Sequence, residues 1–117
     1  MSPAIVSGDH VFLTGVTGAG PDGVMPDDLE TQFRAVFDKI VFLLDQAGLS
    51  PRAVVEMTSY HVGLRDHFDL FSAVRADYVG DPYPAWTAVE VAGLRRPGAC
   101  VEVRVVANAA VTKTAPR

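Results

Sequence analysis

Apolar positions along the chain alternate between a period of two and a period near 3.6, and the switches mark out the elements. Ala4-Ile5-Val6 and Val11-Phe12-Leu13-Thr14 are short β-branched and aromatic runs on either side of Ser7-Gly8-Asp9. They predict a hairpin whose turn is supplied by the Gly-Asp pair. Gly15, Gly18, Gly20, Pro21 and Gly23 then break regular structure, so residues 15–26 are expected to be a loop. From there the period becomes helical. Leu29, Phe33, Val36, Phe37, Ile40, Leu44 and Ala47 form one apolar face. Asp27 is expected to cap this helix with Glu30 three positions on, and Asp28 adds negative charge at the positive helix end. Gly48 and then Pro51 close it.

Val54–Val62 is rich in Val, Thr and Tyr and predicts a strand. A second helix is expected from about Asp66 to Val79, with Phe71, Val74 and Tyr78 on one face. Gly80 closes it, and Pro82 and Pro84 bar its continuation. Ala85–Ala92 alternates as a strand, residues 93–98 turn, and Cys100–Ala107 is a last strand. In that strand Val101, Val103 and Val105 share one face, while Glu102 and Arg104 point to the other. The order β-β-α-β-α-β-β makes an α+β domain with a mixed sheet. Its two helices can cover only one sheet face. The opposite face is expected to carry Trp86, Ala88 and Val106, and copies of the chain are expected to bury it.

The 117 residues, 49% hydrophobic, suit one domain over residues 1–117 with no repeat or linker. The net charge of −4, with no run of Lys or Arg, argues against nucleic acid as partner. A single cysteine, Cys100, excludes an internal disulfide. Nothing at the N-terminus reads as a signal peptide, and no apolar run is long enough to span a membrane, so a soluble cytoplasmic protein is expected.

Phosphate-loop, dinucleotide and zinc-binding motifs are all missing, so no cofactor and no metal are expected. The glycine-rich run from Gly15 to Gly20 opens onto a loop rather than a helix, which disfavours a phosphate cradle. His10, His61 and His67 lack metal-ligand spacing. His61 is expected to be a hydrogen-bonded structural residue, His67 to be solvated in the first turn of the second helix, and Cys100 to be an inert buried thiol.

Glu102 stands out because a carboxylate between valines is costly unless paired or functional. It pairs with Arg104 or a neighbouring subunit, or it serves a site. Trp86, Ala88 and Glu90 share one face of the preceding strand. If those two strands pair, Trp86 comes near Glu102; the plain alternative for the indole is interface packing.

These residues resemble a known family. Ser2-Pro3-Ala4, Gly8-Asp9 and Val11-Phe12-Leu13-Thr14-Gly15 are similar to its S-P-A…G-D-x-V-F-x-S-G stretch. Tyr83 to Leu94 and Val101-Glu102-Val103 to Ala107 are similar to its P-A-R-x-x-V-x-V-x-x-L-P…E-I-x-x-x-A signature. The family is that of the reactive intermediate deaminases, RidA or YjgF, and the resemblance covers residues 2–107. It implies a chorismate-mutase-like fold and a homotrimer with a central barrel, helices outside and a cleft at each subunit interface. It also implies cofactor-free hydrolysis of enamines and imines, such as 2-iminoacids, to a carbonyl compound and ammonia. The glutamate that activates water in that reaction corresponds to Glu102, the candidate catalytic residue. Thr14 and Gly15 correspond to the family's serine-glycine. The arginine that grips the substrate carboxylate is replaced by Trp86, and the proline after Leu94 by Arg95.

An indole cannot neutralise a carboxylate, so weak activity on 2-iminoacids is expected. Arg104, two residues beyond Glu102, is the candidate substitute. Thr14, Gly15, Trp86, Ala88 and Arg104 are thus the candidate substrate-binding residues. The readings are a hydrolase of an imine or enamine, a non-catalytic small-molecule-binding or regulatory member, and, last, an endoribonuclease, which the acidic balance disfavours. The expected partners are further copies of the chain and a small ligand, with no membrane.

Overall fold

The computed structural model describes residues 2–111. Strands β1 (Ala4–Ser7) and β2 (His10–Leu13) form the expected hairpin, with Ser7 opposite His10. The two-residue turn begins at Gly8, whose φ of 58° a side chain would disfavour. Helix α1 spans Leu29–Gln46, β3 Val54–His61, α2 Leu64–Tyr78, β4 Ala85–Glu90 and β5 Val101–Asn108. A single turn of 3-10 helix at Pro51–Ala53 leads into β3. The sheet order is β1-β2-β5-β3-β4, antiparallel except for the β3–β4 pair.

The cap of α1 is Asp28, not Asp27: its side chain accepts from the Thr31 backbone N–H at 2.9 Å. The helix starts one residue later than its charge pattern suggested, and Glu30 instead pairs with Arg34 one turn on, at 2.9 Å. At the other end Gly48, with φ 76°, closes the helix. The Leu49 N–H bonds back to the Leu44 carbonyl at 2.8 Å, and the Gly48 N–H to that of Asp45 at 2.9 Å. Together these satisfy carbonyls that would otherwise be orphaned.

Phe33, Val36, Phe37, Ile40 and Leu44 of α1 pack with Phe71 and Val74 of α2 over one sheet face. That face carries Val11, Leu13, Met57, Val101, Val103, Val105 and Ala107. An irregularity in the β3–β5 register between Val54 and Glu56 keeps both Val54 and Met57 in the core while Glu56 turns outward. The uncovered face mixes charged, polar and apolar side chains. Arg104 meets Glu56 there at 3.7 Å, and Ile5 and Phe12 are 55% and 37% exposed.

Trp86 and Ala88 are not on that face. Trp86 lies beside Met57 and Ala88 beside Ser59, in the parallel β3–β4 register, so both lie on the helix-covered side. Of the three residues expected on the open face only Val106 lies there, opposite Phe12. The strand count and alternation were legible, but an isolated strand does not say which of its faces the helices cover. The Trp86 ring stacks on Phe68 of α2, with centroids 5.5 Å apart, and the Arg75 guanidinium sits 5.0 Å over it.

His67 is buried, not solvated. It belongs to a polar chain inside the core: the Trp86 indole N–H donates to Ser59 Oγ at 2.8 Å, Ser59 Oγ lies 2.8 Å from His61 Nε2, and His61 Nδ1 lies 3.0 Å from His67 Nε2. The three contacts are mutually consistent when Ser59 donates to His61 Nε2 and His61 Nδ1–H donates to His67 Nε2. The expectation of a hydrogen-bonded His61 holds. Burial, reinforced by neighbouring His67, pushes His61 down to about 4 from the ordinary 6.5. His67 is lowered mainly by its own burial, with Asp66 and Glu90 opposing.

A folded state that refuses a proton which the unfolded chain accepts loses stability as pH falls. Stability is therefore expected to be full above pH 6.5 and to decline towards pH 4, by about 1–2 kcal/mol at pH 5. Urea unfolding midpoints at pH 7 and pH 5 check this; identical midpoints would show that the pair titrates freely.

Candidate functional site

Two chain segments and one helix residue converge beside β5. After β2 the chain does not leave the sheet at once: Val16 exchanges both backbone hydrogen bonds with Val103, each 2.9 Å. This bridge lays Gly15 over Glu102. A Cβ built on Gly15 would stand 2.5 Å from Glu102 Oε2, closer than such contacts occur, so the glycine is what lets the carboxylate pass. The loop expected over residues 15–26 thus begins with one strand-like step.

The resulting cavity has a volume of about 410 Å³. Thr14 to Thr17, Ala19 and Gly20 form one wall, and Glu102 projects from β5. Arg95 and Arg96, from the β4–β5 connection, and Lys39, from α1, complete the lining. Lys39 Nζ donates to the Thr17 carbonyl at 2.6 Å, tying the loop to the helix. Burial lowers the Lys39 ammonium, and nearby Arg96 adds to the effect.

Of the candidate site residues, Thr14, Gly15 and Glu102 meet here. Trp86, Ala88 and Arg104 do not line this cavity. Trp86 cannot share a hollow with Glu102 of its own chain, because β3 lies between β4 and β5 and the two side chains leave opposite sheet faces. Arg104 is occupied by Glu56 rather than by Glu102.

Lys39 and Arg96 gave no periodic signal as site residues. Arg95 was visible only as a departure from the family's proline. Gln32 was also missed. It is 1% exposed, and its Nε2 donates to the carbonyls of Pro26 and Gly98 at 3.2 and 3.3 Å. Its Oε1 accepts from the Cys100 N–H at 2.6 Å. One amide therefore joins the loop that supplies Gly15 to the connection that supplies Arg95 and Arg96. A glutamine one turn before Val36, on the buried stripe of α1, was the available signal. Cys100 precedes β5 and is only half buried. Among the described residues no cluster of His, Cys, Asp and Glu could hold a metal ion, and no helix is long and apolar enough to cross a membrane.

Residues 1–109 match the family model described as endoribonuclease L-PSP. The chain belongs to this family, the RidA/YjgF proteins. It is 35% identical over 108 residues to the RutC family protein YjgH of Escherichia coli, covering 92% of this chain and 81% of that one. A RutC family protein of Pyrococcus horikoshii is 32% identical over 108 residues, 91% of this chain and 84% of the other. The crystal structure of RidA from an Antarctic Psychrobacter superposes with a TM-score of 0.85 at 28% identity, over 92% of this chain and 87% of that one. The RidA-family fold, a chorismate-mutase-like α+β architecture, is therefore the one observed.

The close approach at Gly15 makes a specific expectation for this RidA-family chain. Gly15→Ala should leave the melting temperature within about 2 °C, because the clash is with the mobile end of a side chain. It should nevertheless swing Glu102 out of place. A crystal structure of the variant with Glu102 unmoved would contradict this.

Proposed function

We propose that the chain hydrolyses an imine or enamine in the Glu102 cavity, releasing a carbonyl compound and ammonia. The observation that carries the reading is the Glu102 carboxylate, held over a residue without a side chain at the wall of a cavity sized for a small metabolite. A carboxylate there accepts a proton from water as the water oxygen bonds to the imine carbon. The C=N electron pair moves to nitrogen, which takes up a proton. Glu102 then returns its proton to the nitrogen, ammonia leaves as the C–N bond breaks, and the hydroxyl gives up its proton to solvent as the C=O forms, replacing the one that the nitrogen first took from solvent. An enamine first takes a proton at carbon to become the imine. No step calls for a redox partner.

The missing family arginine weighs less than the sequence suggested, since Lys39, Arg95 and Arg96 bring positive charge to the same cavity. The assay generates imines in situ with an amino-acid oxidase and follows their decay. Acceleration is expected, and Glu102→Gln should reduce it by about a hundredfold or more. Failure to accelerate any imine in a panel of neutral and carboxylate-bearing compounds would leave a binding or regulatory protein, the alternative reading. The family model's description names an RNA-cleaving activity. The chain's net charge of −4 does not favour that reading.

We also infer that the face bearing Ile5, Phe12 and Val106 is buried between copies, in a homotrimer whose clefts each copy helps to close. Two exposed large apolar side chains on one sheet face support it. Light scattering should give three times the 12.5 kDa chain mass, and Phe12→Glu should reduce it towards one. A native mass of one chain at micromolar concentration would overturn the assembly.

A further inference from the structure

The cavity's charge is opposite to that of the chain. Acidic residues outnumber basic ones 14 to 10 overall, yet the cavity is lined by three cations, Lys39, Arg95 and Arg96, and by one carboxylate, Glu102. Among the described residues, no ion pair engages any of these four groups. The three cations come from two separate parts of the chain and are gathered by tertiary contacts. Lys39 is pinned by the Thr17 carbonyl at 2.6 Å. Arg96 lies over Gly23, where a built Cβ would stand 3.5 Å from Nη1. Gathering three cations around a single carboxylate is unfavourable, and nearby Arg96 adds to the burial that lowers the Lys39 ammonium. The fold does not use Arg95 and Arg96 as structural ion pairs, and both are exposed.

We propose that Lys39, Arg95 and Arg96 form an anion subsite that selects small dianionic ligands for the Glu102 cavity, a proposal that rests on reading that cavity as the substrate site. The charge count chooses the class. Three cations against one carboxylate leave an excess of two positive charges, which a dianion neutralises and a monoanion does not. The guanidinium fork suits the paired oxygens of a carboxylate or a phosphate, and the Lys39 ammonium adds a point charge. A ligand with one negative group on this wall presents the rest of its body across the cavity to Glu102. Dicarboxylates and phosphate monoesters share this chemistry. The subsite takes the anchoring role that Trp86, packed under α2, does not fill within its own chain.

Calorimetric titration of the full chain at pH 8 and fixed low ionic strength, with malonate, inorganic phosphate and acetate, tests the proposal without requiring turnover. At least one dianion should bind ten times or more tighter than acetate. An Arg95→Gln/Arg96→Gln double variant should lose at least tenfold of that affinity at an unchanged melting temperature. Lys39→Met should weaken binding too, and Glu102→Gln should keep it or tighten it. Preference for malonate over phosphate points to dicarboxylates, and the reverse to phosphate monoesters; either result supports the subsite. Acetate binding as tightly as both dianions, or full affinity in the double variant, overturns it. Dianion binding through the arginines without hydrolysis of any imine would sink the hydrolase reading alone. Imine hydrolysis undiminished in the double variant would sink the subsite alone.

Discussion

Glu102 is held where it is by the core. It lies on β5, in the middle of the five-stranded sheet, between Val101 and Val103, both at most 1% exposed. Side chains alternate along a strand, so burying those valines under α1 and α2 forces Glu102 out of the opposite face. A one-residue slip of β5 would expose the valines and bury the carboxylate, each at a cost of kilocalories. The position of the candidate catalytic group is therefore secured by hydrophobic burial rather than by polar contacts of its own. The bridge between Val16 and Val103 adds the second wall, because it commits the chain after β2 to pass directly over that carboxylate.

The cavity's other walls are loops, and loops need fastening if they are to hold charges in place. Gln32 does this from inside α1 by bonding three backbone groups drawn from both loops. Lys39 repeats the arrangement about two turns further along α1, with its ammonium on the Thr17 carbonyl. Helix α1 thus does more than cover the sheet: it sets the distance between the glycine loop and the arginine-bearing connection. The affinity of any ligand would depend on that preorganisation as much as on the number of contacts.

The helix-covered sheet face carries a polar chain of a different kind. Trp86, Ser59, His61 and His67 satisfy one another beneath α2, and Phe71 packs edge-on against His61 with centroids 4.7 Å apart. The buried imidazoles resist protonation because a charge there loses its water. Where the family resemblance implies a substrate-gripping arginine, this chain has an indole that forms part of its core. In this chain that position serves packing.

Periodicity alone decided much of this protein. It set the β-β-α-β-α-β-β order, the hairpin around Gly8 and Asp9, the buried stripe of α1 and the placement of Glu102 opposite the β5 valines. Each of these follows from local spacing, which is why each was legible before any coordinates. Tertiary structure decided the rest. The insertion of β3 between β4 and β5 parted Trp86 from Glu102, and the choice of covered face turned Trp86 and Ala88, both half-buried, towards the helices and left His67 buried. Packing of α1 against the glycine loop brought Lys39 to Arg95 and Arg96. Strand pairing, the choice of face and loop paths depend on contacts between residues far apart in the chain, and no local period encodes them.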